Sequence, residues 1–344
     1  SPDRLRLVSA DVSPTSVDPA SIVPALLASS RAADGTNSIL EAELTWGAHG
    51  HWGAARLRRD TAPPTGAPLA VGVYAITGGL GGLGLRAAEL LSERSIPSTV
   101  LASRSGRVVR GGQGLEAQLE SLRTRGCVVV CDTANAADIC AMCGGSHPLT
   151  ALLHAAGAGG AGLLTDLVAA RVQQVLAPKA FGAWRAHCGT TAVPLEAWVL
   201  FSSVGSGLGN VGQANYAAAN ASLDALALSG RAHGVAAHSI QWPLVGGAGM
   251  GAAALASCGQ RRVAGLAGIS LNQYAKCLDS CLADARSVAH SVRLVHRAAV
   301  QQVMEDLSDA AQPRFQELAA IAASATHGGA GEGSPVMQAT DTAL

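Results

Sequence analysis

Lys179, Ser203 and Tyr216, in the second half of the chain, have the types from which an acid–base site can be built, and Asn220 lies close by in sequence. The stretch "VLFSSVGSGLGNVGQANYAAAN", Val199 to Asn220, runs apolar, turns glycine-rich and then enters a helical segment bearing one of only three tyrosines in the protein. A phenol titrates near 10, so it works poorly at neutral pH unless a cation stabilises its anion, a tenfold gain in acidity needing about 1.4 kcal/mol of such stabilisation. Only two lysines exist, Lys179 and Lys276, and Lys179 lies in the helix-like "VLAPKAFGAW" just upstream. Asn220 follows Tyr216 by four positions, which sets both on one helical face. Taken singly, each residue has an ordinary role: Ser203 as a turn cap, Tyr216 as a half-buried aromatic, Lys179 as a solvated charge. Taken together at the ends of successive elements, they favour chemistry.

A second group of residues has the spacing of a dinucleotide cradle. The apolar run "VGVYAIT" leads directly into "GGLGGLG" and then the amphipathic "LRAAELLSER". Thr77, Gly78, Gly82 and Gly84 fit a T-G-x3-G-x-G arrangement, with Gly79, Leu80, Gly81 and Leu83 filling the loop. Glycines there let the backbone approach a pyrophosphate, whose charge meets the amides of a helix N-terminus. A glycine turn produced by composition alone is the competing reading, since the chain holds 41 glycines. A strand before and a helix after count against it. At the end of the next strand, "VLASRSG" carries Ser103 and Arg104 where a NAD site carries a carboxylate for the ribose. A guanidinium suits a phosphate, which favours NADPH over NADH. Asp132 in "CDTA" has two comparable readings, a bond to the adenine edge or a turn cap. His154, Ala155, Ala156 and Gly157 ("HAAG") close the fourth strand where the backbone passes the cofactor, with packing alone an open role for His154.

Both groups need a common scaffold, and the hydrophobic pattern supplies one. From residue 70, apolar runs at "VGVYAIT", "STVLAS", "CVVVCD", "LTALLHAAG", "LEAWVLFSS", "AAHSIQW" and "VAHSVRLV" alternate mostly with helix-period segments. Near-continuous apolar strands joined by helices predict an α/β, Rossmann-type doubly wound fold, a mostly parallel seven-stranded sheet with helices on both faces. Such sheets bind ligands at the carboxyl ends of their strands, where both groups fall. The expected boundaries are a partial structural subdomain and linker over 1–68, a catalytic domain over 69–300, and a C-terminal helix with a flexible linker over 301–344.

Charge and cysteine usage narrow the function classes. With 24 basic and 24 acidic residues the net charge is zero, so neither nucleic acid nor an anionic membrane surface is an expected partner. The softest candidate for a membrane span, residues 149–170, is broken by His154 and Asp166. Eight cysteines include the pair "CAMC" at 140–143, but a second ligand pair at zinc spacing is missing; reduced thiols and a cytoplasmic location are the expectation. The chemistry calls for no metal.

The stretches "ITGGLGGLGL", "LASRSG", "LLHAAG", "PKAFGAW", "LFSSVGSGLGNVGQANYAAANASLDALA" and "QWPLVGGAGM" resemble the ketoreductase domain of type I polyketide synthases and related multifunctional fatty acid synthases, a branch of the short-chain dehydrogenase/reductase superfamily. Tyr-x-x-x-Asn in place of Tyr-x-x-x-Lys, with lysine displaced to the preceding helix, marks that branch. The resemblance covers about residues 70–300. It implies NADPH-dependent reduction of a β-ketoacyl chain, held by phosphopantetheine on an acyl carrier protein, to the β-hydroxyacyl thioester, beside neighbouring synthase domains. By the same resemblance Tyr216 gives the proton, Ser203 orients the carbonyl, Lys179 holds the ribose and lowers the tyrosine pKa, and Asn220 supports the proton relay.

The chain departs from the pattern in places. Residues 1–68 resemble only the last part of the family's structural half. Pro243 stands where the family usually has glycine, stiffening the loop that ends at Gly249 and Met250. Gly159, Gly160 and Ala161 replace the aspartate pair of one stereochemical class, and Leu208 replaces the tryptophan of the other, so the handedness of the product stays open. The rival readings are a free-standing reductase of a small carbonyl compound and a cofactor-binding scaffold without chemistry.

Overall fold

The computed structural model describes residues 9–12, 43–46, 52–59, 67–109, 111, 113–122, 126–145, 148–160, 162–249, 268–284, 292–295, 304–305, 307, 313–325 and 336–342. The chain divides into two units, one of residues 61–298 with 334–336 and one of residues 1–60, 299–333 and 337–344. Met250, Ala161 and Cys258, all singled out above or counted among the cysteines, lie outside the described residues.

In chain order, β1 (Ser9–Val12), β2 (Glu43–Trp46) and β3 (Trp52–Arg59) belong to the smaller unit. The larger unit follows with β4 (Val73–Thr77), α1 (Gly82–Glu93), β5 (Ser98–Ser103), α2 (Leu115–Ser121) and β6 (Gly126–Val130). Then come α3 (Ala136–Cys143), β7 (Leu149–His154), α4 (Ala169–Leu176), a π-helical turn over Ala177–Phe181 and α5 (Gly182–Thr190). The unit closes with β8 (Ala197–Ser203), α6 (Val204–Leu208), α7 (Ala214–Ala232), β9 (Ala237–Trp242), α8 (Leu271–Ala283) and β10 (Val292–Val295).

The described strands of the larger unit pair in the order β10-β9-β8-β7-β4-β5-β6, and every one of these pairings is parallel. The order reverses at β4 and β7, the switch point where a doubly wound sheet opens a crevice. Alternation along each strand feeds two separate cores. Tyr74, Ile76, Leu101, Leu153, Val199, Phe201 and Ile240 face α1 and α8, packing with Leu85, Leu91, Tyr274 and Leu278. Ala75, Ala102, Leu152, Trp198 and Leu200 face the other way, onto Ile139, Ala183, Ala186, Leu223 and Ala227 of α3, α5 and α7. Strands buried on both faces explain why the sequence showed continuous apolar runs rather than alternation. At roughly 25 cal/mol per Å² of apolar area removed from water, this double core is the main stabilising term.

In the smaller unit β1 runs parallel to β2 and β2 antiparallel to β3. Within 301–344, where a C-terminal helix and a flexible linker are expected, the described residues form α9 (Gln316–Ala325) and β11 (Val336–Thr342), the strand pairing antiparallel with β3 from Met337 opposite Arg59 to Thr342 opposite Ala54. The unpaired amides and carbonyls of β3 take an extended segment even from glycine-rich surroundings, because pairing satisfies both backbones. N-terminal and C-terminal segments therefore group together, a long-range pairing that composition could not reveal.

Candidate active site

Lys179 sits inside the π-helical turn between α4 and α5. Such turns add a residue to a helical run and re-aim the side chains they carry. Two polar struts hold this one. His154, fully buried at the end of β7, lies with Nδ1 2.8 Å from Thr77 Oγ1 and Nε2 3.0 Å from the Lys179 carbonyl. Burial, helped by the Lys179 charge, pushes the imidazole down to about 4, so the ring is neutral at neutral pH. A carbonyl can only accept, so Nε2–H donates to Lys179 and Nδ1 accepts from the Thr77 hydroxyl. Thr133 Oγ1 donates to the Pro178 carbonyl at 3.0 Å, fixing the other side of the turn.

So held, Lys179 is 4 % exposed. Its Nζ donates to the Phe201 carbonyl at 2.5 Å and stands 5.7 Å from the centroid of the Tyr216 ring. Its side chain lies against Gly157, where an added Cβ would meet Cε at 3.2 Å. Burial lowers the ammonium to about 8, and Asp224 opposes that change.

Ser203 ends β8 and caps α6, its Oγ accepting from Gly205 N–H at 3.2 Å. Tyr216 lies in the first turn of α7 and Asn220 one turn later, where Asn220 Nδ2 donates to the Tyr216 carbonyl at 2.7 Å. The expected lowering of the Tyr216 pKa is not what the structure gives. Burial raises the phenol above its usual 10, while hydrogen bonds from the Asn220 and Ser203 side chains pull it back. The net direction is upward because burial outweighs these two polar neighbours.

A cavity of about 1270 Å³ runs along the carboxyl ends of the central strands, and Lys179, Ser203 and Tyr216 line one part of it. The glycine loop lines another through Gly78, Leu80, Gly81, Gly82, Leu83 and Gly84, joined by Ser103, Arg104, Ala155, Ala156 and Gly157. Several glycines of the loop have no room for a side chain. Gly78 takes φ +67 with its Cβ position 2.8 Å from the Ala155 backbone, and a Cβ on Gly84 would stand 2.5 Å from the Gly78 carbonyl. A backbone cradle at the start of α1, with Arg104 exposed beside it, suits the diphosphate of a dinucleotide.

Four of the expected site residues do not line the cavity: Thr77, Gly79, Asp132 and Asn220. Thr77 is turned inward onto His154. Asp132 Oδ1 accepts from Ala134 N–H at 3.0 Å, the turn-cap geometry. Asn220 is fully buried beneath Tyr216, with Oδ1 lacking a hydrogen-bond partner among the described residues. Sequence reasoning also passed over cavity residues, including Arg107, Thr133, Gln213 and Val245. Arg107 was findable, being a second guanidinium three places after Arg104. Of the cysteines, burial pushes Cys131 and Cys143 up to about 11 and Cys277 to about 12, leaving those thiols unreactive. Among the described residues no helix is long and apolar enough to cross a membrane.

The family model described as KR domain matches residues 72–247, the span that holds every residue of the cleft discussed so far. The chain belongs to the KR, or ketoreductase, domain family. This ketoreductase domain is 40% identical over 240 residues to the spectinabilin polyketide synthase system protein NorB of Streptomyces orinoci, covering 68% of this chain and 11% of that protein. It is 42% identical over 188 residues to the polyketide synthase GfsB of Streptomyces halstedii, covering 54% of this chain and 3% of that protein. The chain thus spans a small fraction of the length of these relatives. Among solved structures it is similar to an A1-type ketoreductase, with a TM-score of 0.67 and 28% identity over 81% of this chain and 60% of that one. A-type ketoreductases from a modular polyketide synthase give a TM-score of 0.66 at 28% identity, with the same two coverages.

Proposed function

We propose that this ketoreductase domain reduces a β-ketoacyl thioester, carried by phosphopantetheine on an acyl carrier protein, to the β-hydroxyacyl thioester with NADPH, as one domain of a multifunctional polyketide synthase. The observation that carries the reading is a single cavity lined by a lysine, a serine and a tyrosine in one part and by a glycine loop with Arg104 in another. NADPH, when bound, supplies the hydride.

The chain's own residues account for the rest of the step. Ser203 and Tyr216 offer hydroxyls to the substrate carbonyl oxygen, which must gain negative charge as its carbon is reduced. The raised pKa of Tyr216 keeps the phenol protonated at neutral pH, as an acid must be before it acts. Lys179, charged below about 8, stabilises the phenolate left behind. Asn220 Oδ1, without a hydrogen-bond partner among the described residues, can accept one in support of a proton relay. At the nucleotide end, the amides after Gly81 and the guanidinium of Arg104 would hold the diphosphate and the ribose phosphate.

The test is substitution of the acid. Tyr216→Phe is expected to bind NADPH normally yet fail to consume it with a β-ketoacyl thioester. An unmutated protein that binds NADPH and reduces no ketoacyl thioester would instead be a scaffold.

A further inference from the structure

A glutamine outside the cleft bonds to a loop that lines it. The segment after β9 contributes Pro243, Leu244, Val245, Ala248 and Gly249 to the cavity wall and comes to rest on the glycine loop. A Cβ added to Gly82, the first residue of α1, would stand 2.5 Å from Gly249 N and 2.7 Å from the Ala248 carbonyl carbon. The near end of this 243–249 loop is fixed by backbone. Ile269 N–H donates to the Leu244 carbonyl and Gly246 N–H donates to the Ile269 carbonyl, both at 2.8 Å, around the bridge of Val245 with Ile269. The far end is fixed by a side chain: Gly249 N–H donates to Gln113 Oε1 at 2.9 Å, a contact between residues 136 positions apart. Gly247 and Gly249 take φ of +99 and +73, left-handed backbone that glycine adopts without strain. Gln113 stands two residues before α2, downstream of Ser103, Arg104, Ser105, Arg107 and Val109, which line the cavity. One hydrogen bond thereby joins the segment that follows the guanidiniums to the loop that lies on the start of α1.

We propose that Gln113 is a positioning residue of the dinucleotide site, its side-chain carbonyl holding the 243–249 loop against the start of α1 so that a bound dinucleotide is covered at its diphosphate and leaves slowly. The proposal rests on the reductase reading above in taking NADPH as the ligand. Gln113 does not line the cavity, so it acts through the loop and not on the ligand. The same geometry gives Gly82 a second reason to lack a side chain. The space where its Cβ would stand is taken by Ala248 and Gly249, so the glycine serves the covering loop as well as the phosphate. Gln113 is half-buried, and a neutral hydrogen bond of this kind shifts an equilibrium by a few-fold, which sets the size of the effect to look for.

The test uses the full chain and Gln113→Met, which keeps the length of the side chain and removes its carbonyl acceptor. Without ligand, hydrogen exchange of the 243–249 amides, followed by mass spectrometry, is expected to quicken. NADPH, followed by its own fluorescence, is expected to leave about fivefold faster with its association rate unchanged, as loss of one hydrogen bond from the covered state requires. Adenosine 2′-monophosphate, which carries the ribose phosphate but no diphosphate, is expected to bind as before. A general disturbance of the fold would weaken both ligands, so equal losses for the two would overturn the proposal. Unchanged exchange of the loop, or unchanged release of NADPH, would overturn it as well. Should Gln113→Met fail to fold, Gln113→Ala is read by the same three measurements. An unmutated protein that binds NADPH yet reduces no ketoacyl thioester would end the reductase reading and leave the role of Gln113 standing; one that binds no NADPH would end both.

Discussion

The two ends of the cleft are built on opposite principles. At the reacting end, side chains do the work: Lys179, Ser203 and Tyr216 are buried or nearly so, each braced by hydrogen bonds from another element, and the lysine and tyrosine titrate away from their ordinary values. At the nucleotide end, the backbone does it: the glycine loop offers amides and space, and its charged members, Arg104 and Arg107, are exposed. Precise chemistry needs a desolvated, pre-organised group, whereas a diphosphate can be held by amides and a solvated guanidinium. Substitutions at the two ends should therefore fail in different ways.

The sharpest contrast comes from Tyr216→Phe, which should cost on the order of a thousandfold in kcat while leaving the NADPH dissociation constant within a factor of about two, because a general acid contributes at the reaction and not at cofactor binding. Steady-state kinetics beside equilibrium binding would check it; a parallel loss of affinity would erase the distinction between the two ends.

Next is the strut behind the reacting end. His154 titrates near 4 in the folded chain and near 6.5 when unfolded, so the unfolded state binds more protons in that window. Stability should therefore fall as pH drops from about 6.5 to 4, by up to roughly 3 kcal/mol. Denaturant unfolding at several pH values would measure the slope. His154→Phe should start less stable, losing the bonds to Thr77 and the Lys179 carbonyl, and should flatten that part of the slope.

The smallest effect is expected at the nucleotide end, where Arg104→Ala should weaken NADPH by about tenfold and leave NADH nearly untouched, consistent with one solvent-screened charge-assisted contact. Equal losses for both cofactors would take Arg104 out of the phosphate site.

The same contrast explains what was legible in the sequence. The strand runs and the glycine loop were readable because burial on both faces and close backbone approach each leave a local signature. Lys179, Ser203 and Tyr216 were readable from type plus position at strand and helix ends. That Thr77 turns onto His154 was not legible, because the phase of a strand's last residue decides which way it faces and spacing alone does not give that phase. The π-helical turn at 177–181 depends on His154 and Thr133, which approach from other elements. Asp224 stands two turns after Tyr216, yet the hydrogen bonds it accepts come from Ser206 of α6 and from Ser239 and Gln241 of β9, which the local sequence does not show. The pairing of β11 with β3 joins opposite ends of the chain, beyond any local pattern.

The central claim, that one cleft brings a nicotinamide dinucleotide and a ketoacyl thioester to Tyr216, is tested most directly by isotope transfer. The full chain would be given NADPH carrying deuterium at its transferable position, with a β-ketoacyl thioester. The account predicts a β-hydroxyacyl product bearing that deuterium on its β-carbon, formed by the unmutated protein and not by Tyr216→Phe. Product without the label, equal labelling with the phenylalanine variant, or cofactor bound with no product at all would contradict it.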